Sequence, residues 1–365
     1  SYGIGGNIGR NTAPYLIASY YDSSLVDGMA GSVNTPPNKD IRWEKTTTVN
    51  VGVDFALFRH RLSGTIEYYN KYSVDLLAAI NGSPTQGFGY TTLMTNNGKM
   101  VNRGVEITLS GEIIRQKDFS WNASLLYAFN RNKVKHISVQ PSLWDSRISM
   151  PTSYPMVGKP LYGIYAYKWA GLNENGDPQV YDAENNVTSG PARDYHALVY
   201  CGTTVPIHNA SLTNVLRYKG FEFSAMLILD AGHKLRSSNI PSINMSNGRI
   251  TSTAKGIVDR WTQPGDVTDV PCLLFSNDTE NFNTHRTELY RYSDLFVYDA
   301  SNIRLSNISL AYRVPAHWCK KISLSGARLQ FNVENVATFA FDSKANYDLG
   351  GKVKPNYVWG LYLNF

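Results

Sequence analysis

Residues 46–77 alternate between apolar and polar side chains with a period of two, which is the period of a β-strand. The polar positions include Asn50, Asp54 and Glu67. The apolar positions are Val49, Val51, Val53, Phe55 and Leu57 before a turn at 58–61, and Leu62, Ile66 and Tyr68 after it. Because successive side chains of a strand point to opposite faces, the segment is predicted to be a β-hairpin with one apolar and one polar surface.

The length of these alternating runs favours a membrane protein over a soluble sandwich. Each run spans about ten residues, which a tilted strand needs to cross a bilayer, whereas a sandwich strand usually has about five or six. Similar hairpins are predicted over 105–129, 208–231 and 300–335, with a last strand at 357–365. The turns inside the hairpins are short, and the segments between hairpins, such as 72–100, are predicted to be long loops, as in transmembrane barrels.

The sequence therefore predicts an all-β fold, a transmembrane antiparallel β-barrel in which residues 1–365 belong to one domain. Nine clear strands and the end of another at Ser1 make about ten strands, too few to enclose a wide lumen alone. Interruptions of the alternation at Ser306-Asn307 and Ser325-Gly326 predict β-bulges. No signal peptide begins the chain, so we expect it to start in the middle of a barrel.

Composition and motifs exclude several other classes. No run of the 365 residues approaches the about 18 apolar residues of a transmembrane helix. Lysine and arginine are dispersed despite a net charge of +6, so we expect no nucleic-acid partner. The seven histidines are dispersed too, and no zinc, nucleotide or nucleophile motif is present, so we expect no metal, no cofactor and no enzymatic activity.

The period of two also predicts which side chains face lipid and which face the lumen. The predicted lipid-facing residues are Val51, Val53, Phe55, Leu125, Tyr127, Phe223 and Leu227. The predicted lumen-facing residues are Asn50, Asp54, Glu67, Asn122 and Ser124. Asp54 and Glu67 either line a substrate path or are solvated or paired groups of the lumen.

Aromatic residues of the predicted loops are candidates for substrate binding. Such rings stack on sugars or on peptide side chains, but they also pack loops against one another, and the sequence leaves both interpretations open. The candidates are Trp144, Tyr162, Tyr165, Tyr167, Trp169 and Trp261.

Two further patterns in the loops have a simple structural interpretation. Asn173, Asn175 and Asp177 have the spacing of calcium ligands, but no closing glutamate follows, so a tight turn is favoured. Cys319 lies in a predicted turn on the opposite side of the membrane from Cys201 and Cys272 and is expected to be unpaired. Cys201 and Cys272 both lie in predicted loops on the same side of the membrane, and the sequence leaves open whether they form a disulfide with each other.

Several short segments carry a resemblance to a known family. They are Trp43-Glu44-Lys45-Thr46-Thr47-Thr48, Val53-Asp54-Phe55, Arg61-Leu62-Ser63-Gly64, Tyr68-Tyr69-Asn70-Lys71 and Asn102-Arg103-Gly104-Val105-Glu106. Together with the last strand, they resemble the SusC/RagA family of TonB-dependent outer-membrane transporters.

The resemblance implies a barrel of roughly 22 strands in the outer membrane of a Gram-negative bacterium, of which this chain is the C-terminal part. A signal sequence, a plug domain and the first half of the barrel would precede it. The function implied is active import of oligosaccharides or oligopeptides. The partners implied are a SusD-like surface lipoprotein, the TonB complex acting through the N-terminal part, the outer-membrane lipid, and the remaining half of the barrel with its plug.

A soluble or surface-attached all-β glycan-binding protein is the alternative, because it shares the alternating strands and aromatic loops. The apolar face of the strands distinguishes the two. In a barrel this face is an uncovered band that contacts lipid, whereas in a sandwich the same residues form a buried core.

The last strand is predicted to be the assembly signal of the barrel. Its alternating residues are Tyr357, Trp359, Leu361, Leu363 and Phe365. Deleting Phe365, or adding a few charged residues after it, should lower outer-membrane levels of the full-length protein, because an unpaired strand leaves costly backbone groups in lipid. Immunoblots of outer-membrane fractions test this, and normal levels with normal uptake would contradict it.

Overall fold

The computed structural model describes residues 1–9, 14–23, 28–35, 37–81, 85, 92–139, 146–190, 192, 194–245, 253–275, 285–321, 323–350 and 354–365. The strands, in chain order, are β1 (Tyr2–Asn7), β2 (Ile17–Ser23), β3 (Gly28–Thr35), β4 (Glu44–Leu57), β5 (Leu62–Asn81), β6 (Thr92–Arg115), β7 (Phe119–Ile137), β8 (Gly163–Tyr167), β9 (Trp169–Leu172), β10 (Pro178–Tyr181), β11 (Val187–Thr188), β12 (Leu198–Thr203), β13 (His208–Tyr218), β14 (Phe221–Ala231), β15 (Lys234–Arg236), β16 (Asn244–Met245), β17 (Leu274–Phe275), β18 (Val297–Asp299), β19 (Asn302–Arg313), β20 (Gly326–Ala340) and β21 (Asn356–Asn364). The helices are short: α1 (Ser146–Ser149), α2 (Arg286–Arg291), α3 (Ala316–Lys320) and four 3₁₀ turns at Tyr195–Ala197, Lys255–Asp259, Asp294–Phe296 and Ser343–Ala345.

A ten-stranded antiparallel sheet contains β1, β4, β5, β6, β7, β13, β14, β19, β20 and β21 in this order. Each strand of this sheet pairs with the next one along the chain. This up-and-down order confirms the predicted all-β fold with about ten barrel strands. The strands outside it form small sheets of two or three strands.

Strand length is where the sequence-based expectation was wrong. β5 has 20 residues and β6 has 24, not about ten, so most of the predicted loop at 72–100 is strand. At about 3.4 Å per residue, β6 is roughly 80 Å long, far more than the roughly 30 Å of hydrocarbon. Register irregularities at Ser73–Leu76 and a positive φ of 56° at Asp75 bend the hairpin beyond the membrane-spanning part.

The register of the sheet separates an apolar face from a more polar one. A row of cross-strand neighbours on one face, here called the outer face, is Val53, Ile66, Ile107, Tyr127, Ala210, Leu229, Ile303 and Phe339. The neighbouring row on the opposite face, here called the inner face, is Asp54, Thr65, Thr108, Leu126, Ser211, Ile228, Arg304 and Thr338.

The outer face is uncovered within the described part of the chain. Val53 is 61% exposed, and Val51 is 62% exposed. In a sandwich these residues would be buried under a second sheet. An apolar, exposed band of this extent is the arrangement that lipid, rather than water, stabilises.

Aromatic side chains line the outer face at the end where the turns are short. Phe119, Tyr218, Phe221 and Tyr312 are cross-strand neighbours there, and the ring centres of Phe221 and Tyr312 are 4.5 Å apart. One row further along, the rings of Phe331 and Trp359 are 4.2 Å apart. Rings at this position form an aromatic girdle at a membrane interface.

Short turns at this end have the predicted positions. Phe58, Arg59 and His60 all have positive φ in the first turn, and Lys219 has φ 52° in the two-residue turn between β13 and β14. The bulge predicted at Ser306 is confirmed by a register shift between Leu305 and Asn307. The slip predicted at Ser325-Gly326 is wrong, because β20 simply begins at Gly326.

The buried core of the described chain lies in the loops rather than in the sheet. Two clusters there contain Tyr165, Tyr167, Val180, Ala192, Ala197, Leu198 and Leu289, and Ile243, Tyr290 and Phe296. These residues come from the two long connections after β7 and after β14, which therefore pack together at one end of the sheet.

A fully buried arginine joins these two connections. Arg286 is 0% exposed; its Nε donates to Asp177 at 2.8 Å, and its terminal nitrogens donate to the carbonyl oxygens of Ile243 (2.8 Å) and Cys272 (2.6 Å). The terminal nitrogens also donate to the Oδ1 of Asn244 at 2.8 Å and to the Sγ of Cys272 at 3.2 Å. Every donor direction of the guanidinium is therefore used, and three loop segments are fixed to α2.

The segment Asn173–Asp177 forms the predicted tight turn, and the three cysteines are free. Asn173 Oδ1 accepts from the backbone nitrogens of Asn175 and Asp177, both at 2.9 Å, which is a side-chain-capped turn. Cys319 is a free thiol, as predicted. Cys201 and Cys272 are also free, so the disulfide left open between them is not formed.

Val53→Arg should destabilise the full-length protein by about 2–4 kcal/mol, because Val53 lies on the outer face in a membrane-spanning strand. Asp54→Arg is the matched control on the inner face and should be tolerated. Urea titration of the protein in lipid vesicles measures the free energy of unfolding of both variants. Equal losses, or a larger loss for Asp54→Arg, would contradict the assignment of faces.

Arg286→Met should destabilise the loop layer by about 3–5 kcal/mol, because it leaves the Asp177 carboxylate buried without its partner. The matched control is Arg304→Met, which removes a half-exposed pair with Asp230 (2.9 Å) and should cost less than about 1 kcal/mol. Hydrogen exchange of the loop amides in the full-length protein reports both changes. Unchanged loop protection in Arg286→Met would show that this arginine does not hold the loops.

Candidate functional site

The inner face of the sheet carries all the residues predicted to face a lumen. Asn50, Asp54, Glu67, Asn122 and Ser124 lie on this one face by register, but they are spread over several rows and do not form a single cluster. A depression of about 320 Å³ lies on the same face between β6 and β14. That this face lines the lumen of a complete barrel stays a prediction.

Two carboxylates of the inner face are direct cross-strand neighbours. Glu67 lies opposite Glu106, an arrangement that destabilises an antiparallel pair unless a cation is near. Neither one has an ion-pair partner among the described residues. Further round the sheet, in contrast, Asp230 pairs with Arg304 at 2.9 Å. The face is thus locally negative at β5 and β6.

A glycine explains one of the sequence segments that resembled a family. Gly104, within Asn102-Arg103-Gly104-Val105-Glu106, lies under the ring of Tyr69 on the inner face. A Cβ atom at residue 104 would approach that ring to 2.4 Å, so only glycine fits. Tyr69 is buried as a result, and the ammonium of Lys71 lies 5.1 Å from its ring centre.

An apolar cavity of about 400 Å³ lies at the end of the sheet where the long connections are. Its apolar lining includes Leu76, Leu77, Met94, Met100 and Ile137, and its polar lining includes Glu44, Lys99, His136, Thr152 and Ser153. We refer to it as the mouth pocket. A concave, mostly apolar cavity with a few polar groups is the usual form of a small-ligand site.

The mouth pocket is closed on one side by the segment 150–161, which is hydrogen-bonded along β7. Val134 donates to the carbonyl of Lys159 at 2.9 Å, and Gly158 donates back to Val134 at 2.8 Å. The backbone nitrogen of Leu161 donates to the side chain of Asn132 at 2.8 Å. Gly158 has φ +86°, a conformation that favours glycine, so this wall is specified by the sequence.

Glu44 has a structural role in the pocket. Its carboxylate accepts from the backbone nitrogen of Leu77 and from the side chain of Asn7, both at 2.9 Å. These contacts tie the outer end of β5 to β4 and β1. The Glu44 carboxylate is therefore hydrogen-bonded within the protein. The leucine and methionine side chains make up most of the apolar lining that a ligand would contact.

Three of the six aromatic residues predicted to bind substrate are packed within the loops. Tyr165 and Tyr167 are 1% and 0% exposed and belong to the buried core of the loops. Trp169 donates from its ring nitrogen to Asp269 at 3.0 Å and packs against Tyr290. These three aromatic rings pack the loops against one another, which is one of the two interpretations that the sequence leaves open.

The remaining aromatic candidates are separate from one another. Tyr162 is exposed beside the wall of the mouth pocket. Trp261 covers Gly176, where a Cβ atom would meet its ring at 2.4 Å. Trp144 lies outside the described residues.

The sequence reasoning missed the mouth pocket. Leu76, Leu77, Met94 and Met100 of its lining belong to 72–100, which the sequence predicts to be a loop because it contains several glycine and asparagine residues. Tyr72, Val74, Leu76, Ala78 and Ile80 do alternate in the sequence, but glycine and asparagine residues directly after them obscure this strand signal.

Burial shifts the pKa values of two thiols and one histidine in the loop region. Burial raises the pKa of the Cys201 thiol to about 11 and also raises the pKa of the Cys272 thiol. Burial lowers the pKa of His233. Both thiols are therefore protonated and His233 is neutral near pH 7, so none of these groups is prepared to act as a nucleophile or general acid.

Within the described ranges, no group of three or more histidine, cysteine, aspartate or glutamate side chains is placed to hold a metal ion. The helices in the same ranges are all too short or too polar to cross a membrane.

The chain is similar in sequence to two named receptors. It is 26% identical to the TonB-dependent receptor P3 of Formosa agariphila, covering 99% of this chain and 37% of the receptor. It is 25% identical to the TonB-dependent receptor SusC of Bacteroides thetaiotaomicron, covering 82% of this chain and 29% of SusC. The chain thus spans well under half the length of the curated relatives it matches.

The fold is similar to a solved structure. The RagAB peptide transporter superposes with a TM-score of 0.75 at 23% identity, covering 100% of this chain and 40% of that one. The family described as TonB dependent receptor-like, beta-barrel matches residues 5–336, most of the chain. This family contains transporters of the Gram-negative outer membrane, and the chain belongs to it.

Proposed function

We propose that this chain is the C-terminal part of the barrel of an outer-membrane importer for oligosaccharides or oligopeptides. The observation that carries the proposal is the contrast between the two faces of the sheet. The outer face is apolar and uncovered, while the inner face bears Asp54, Glu67 and Glu106. Such a sheet encloses a polar path through lipid, and it performs transport rather than bond chemistry.

The partners follow from family membership and from the position of the loops. A SusD-like surface lipoprotein would cover the loop layer at the outer mouth. The TonB complex would act through a plug in the remaining N-terminal part, which would also complete the barrel. The similarity to SusC supports the lipoprotein, and the exposed edge strand β1 (Tyr2–Asn7), which pairs only with β4 in the described sheet, supports a further barrel segment.

The mouth pocket favours oligopeptides over oligosaccharides as the substrate. Sugars present hydroxyl groups that need hydrogen-bond partners, and leaving these unpaired in a cavity is costly. Leu76, Leu77 and Met100 offer no such partners but fit an apolar amino-acid side chain. Methionine also adapts to side chains of different shapes, which suits a transporter of mixed peptides.

Uptake of labelled oligopeptides by the native bacterium tests the function. Deleting the gene of this protein should abolish uptake, and so should deleting the gene of TonB. Uptake that persists in either strain would overturn the proposal. If oligosaccharides, but not oligopeptides, depend on both genes, the importer role stands and the peptide assignment fails.

Met100→Glu in the full-length protein should reduce uptake of peptides with apolar side chains about tenfold, because it places a charge in the mouth pocket. The matched control is Met29→Glu, the same exchange at an exposed residue of β3. Initial uptake rates at equal outer-membrane levels provide the measurement. Equal rates for the two variants would show that the mouth pocket does not contact the substrate.

A further inference from the structure

Arg147, in α1, is a buried arginine with an unusual environment. The residue is only 8% exposed. The central carbon of its guanidinium lies 4.8 Å from the ring centre of Tyr195 and 5.8 Å from that of Tyr165. The group is thus held between two aromatic rings, an arrangement that attracts a cation but satisfies none of its hydrogen-bond donors.

Two other arginines of the loop layer, the buried Arg286 and the partly buried Arg236, donate to several oxygen acceptors. Arg286 uses the Asp177 carboxylate and several carbonyl oxygens, as described above. Arg236 donates to the carbonyl oxygens of Tyr165 (2.6 Å), Arg291 (3.2 Å) and Ser293 (3.2 Å). A buried guanidinium in this layer is therefore normally matched by oxygen acceptors.

Arg147 has no such match. Its Nε is buried without a hydrogen-bond partner, and the guanidinium forms no ion pair with any residue in the described ranges. The nearby carboxylate of Asp194, adjacent to Tyr195 in sequence, pairs with His196 rather than with Arg147: its Oδ1 lies 2.8 Å from the backbone nitrogen and 2.7 Å from the ring nitrogen of His196. A buried cation without an anion is costly, so the site is built for an acceptor that the described chain does not supply.

We propose that Arg147, Tyr165 and Tyr195 form a subsite for a carboxylate group of the imported oligomer. This inference rests on the proposed function and extends it. The planar guanidinium pairs with a carboxylate through two parallel hydrogen bonds, and the flanking rings exclude water from the pair. The free C-terminus of a peptide and the acid group of a uronic sugar share this chemistry.

The position of Arg147 favours a transported ligand over a protein partner. The segment that contains it continues directly into Thr152, Ser153 and Pro155, which line the mouth pocket. The backbone nitrogen of Met156 donates to the hydroxyl of Tyr165 at 3.2 Å, so one ring of the subsite is fixed to the wall of that pocket. A ligand in the mouth pocket thus lies against the same short segment that presents the arginine.

Paired ligands that differ only in a carboxylate test the proposal. The full-length protein with its native partners would be titrated with a mixture of oligopeptides and with the same peptides as C-terminal amides. Oligogalacturonate and neutral galactose oligomers form the second pair and identify the source of the carboxylate. The wild type should bind the acidic member of at least one pair about tenfold more tightly.

Arg147→Met should remove this preference and leave the affinity for the neutral member unchanged, and Arg147→Lys should retain part of it. Arg115→Met is the matched control at an exposed arginine of the opposite end. An unchanged preference in Arg147→Met would overturn the subsite. So would equal weakening of acidic and neutral ligands, which indicates a structural role, or loss of a copurifying partner with ligand binding intact.

A second measurement separates this inference from the proposed function. If the wild type binds neither peptides nor glycans, the importer proposal fails, but protection of Arg147 from phenylglyoxal by sodium acetate still decides the subsite. Peptide mapping by mass spectrometry resolves Arg147 from the other arginines. Protection at Arg147 and not at Arg115 supports a carboxylate site, and equal labelling with and without acetate overturns it.

Discussion

Backbone pairing across ten neighbouring strands is the constraint on which this structure depends. In lipid, no water is available to satisfy an unpaired N–H or carbonyl group, so each strand must be hydrogen-bonded on both sides along its membrane-spanning length. Pairing of this kind fixes the register, and the register then decides the face of every side chain. Val53 and Asp54 are neighbours in sequence but contact different surroundings for this reason alone. The apolar outer rows and the polar inner rows are consequences of one hydrogen-bond pattern.

A sheet of this type has no core of its own, and the loops supply one. A soluble domain buries its apolar strand faces, whereas here those faces are left for lipid and the buried clusters lie in the connections after β7 and β14. Arg286 holds these connections together by satisfying acceptors from separate segments at once. Two of these acceptors are the backbone carbonyl groups of Ile243 and Cys272, so the arginine fixes the conformation of these loop segments directly. The outer mouth is thus a packed layer, which is what gives the mouth pocket a defined wall at 150–161.

The sequence predicted the structure well where a segment alternates apolar and polar residues with a constant period of two. It did not predict features that depend on contacts between segments far apart in the chain. The hairpin of β13 and β14 lies at 208–231 as predicted, since its alternation and its short turn at Lys219 are local signals. The extension of β5 and β6 was not predicted because strands beyond the bilayer have no reason to be apolar on one face, and because Asn97-Gly98 has the composition of a turn. Gly98 is instead a strand residue where a Cβ atom would meet Leu76 at 2.9 Å. Tyr165 and Tyr167 could not be assigned either, because only the packing of two loops separated by about a hundred residues shows that they are buried.

Several charged groups of the described chain have a nearby acceptor or counter-charge, whereas two sites do not. In the loop layer, Arg286 and Arg236 are matched by nearby acceptors, and on the inner face Arg304 is matched by Asp230. Glu67 opposite Glu106, and Arg147 between two tyrosines, are exceptions in the described chain. Like charges across a strand pair and a cation in an aromatic clamp both raise the free energy of the folded chain unless a counter-charge arrives. The two exceptions have opposite sign and lie in different places, one on the inner face of the sheet and one in the loop layer. Under the proposed import of peptides, whose two ends have charges of opposite sign, both sites would gain a counter-charge when the ligand binds.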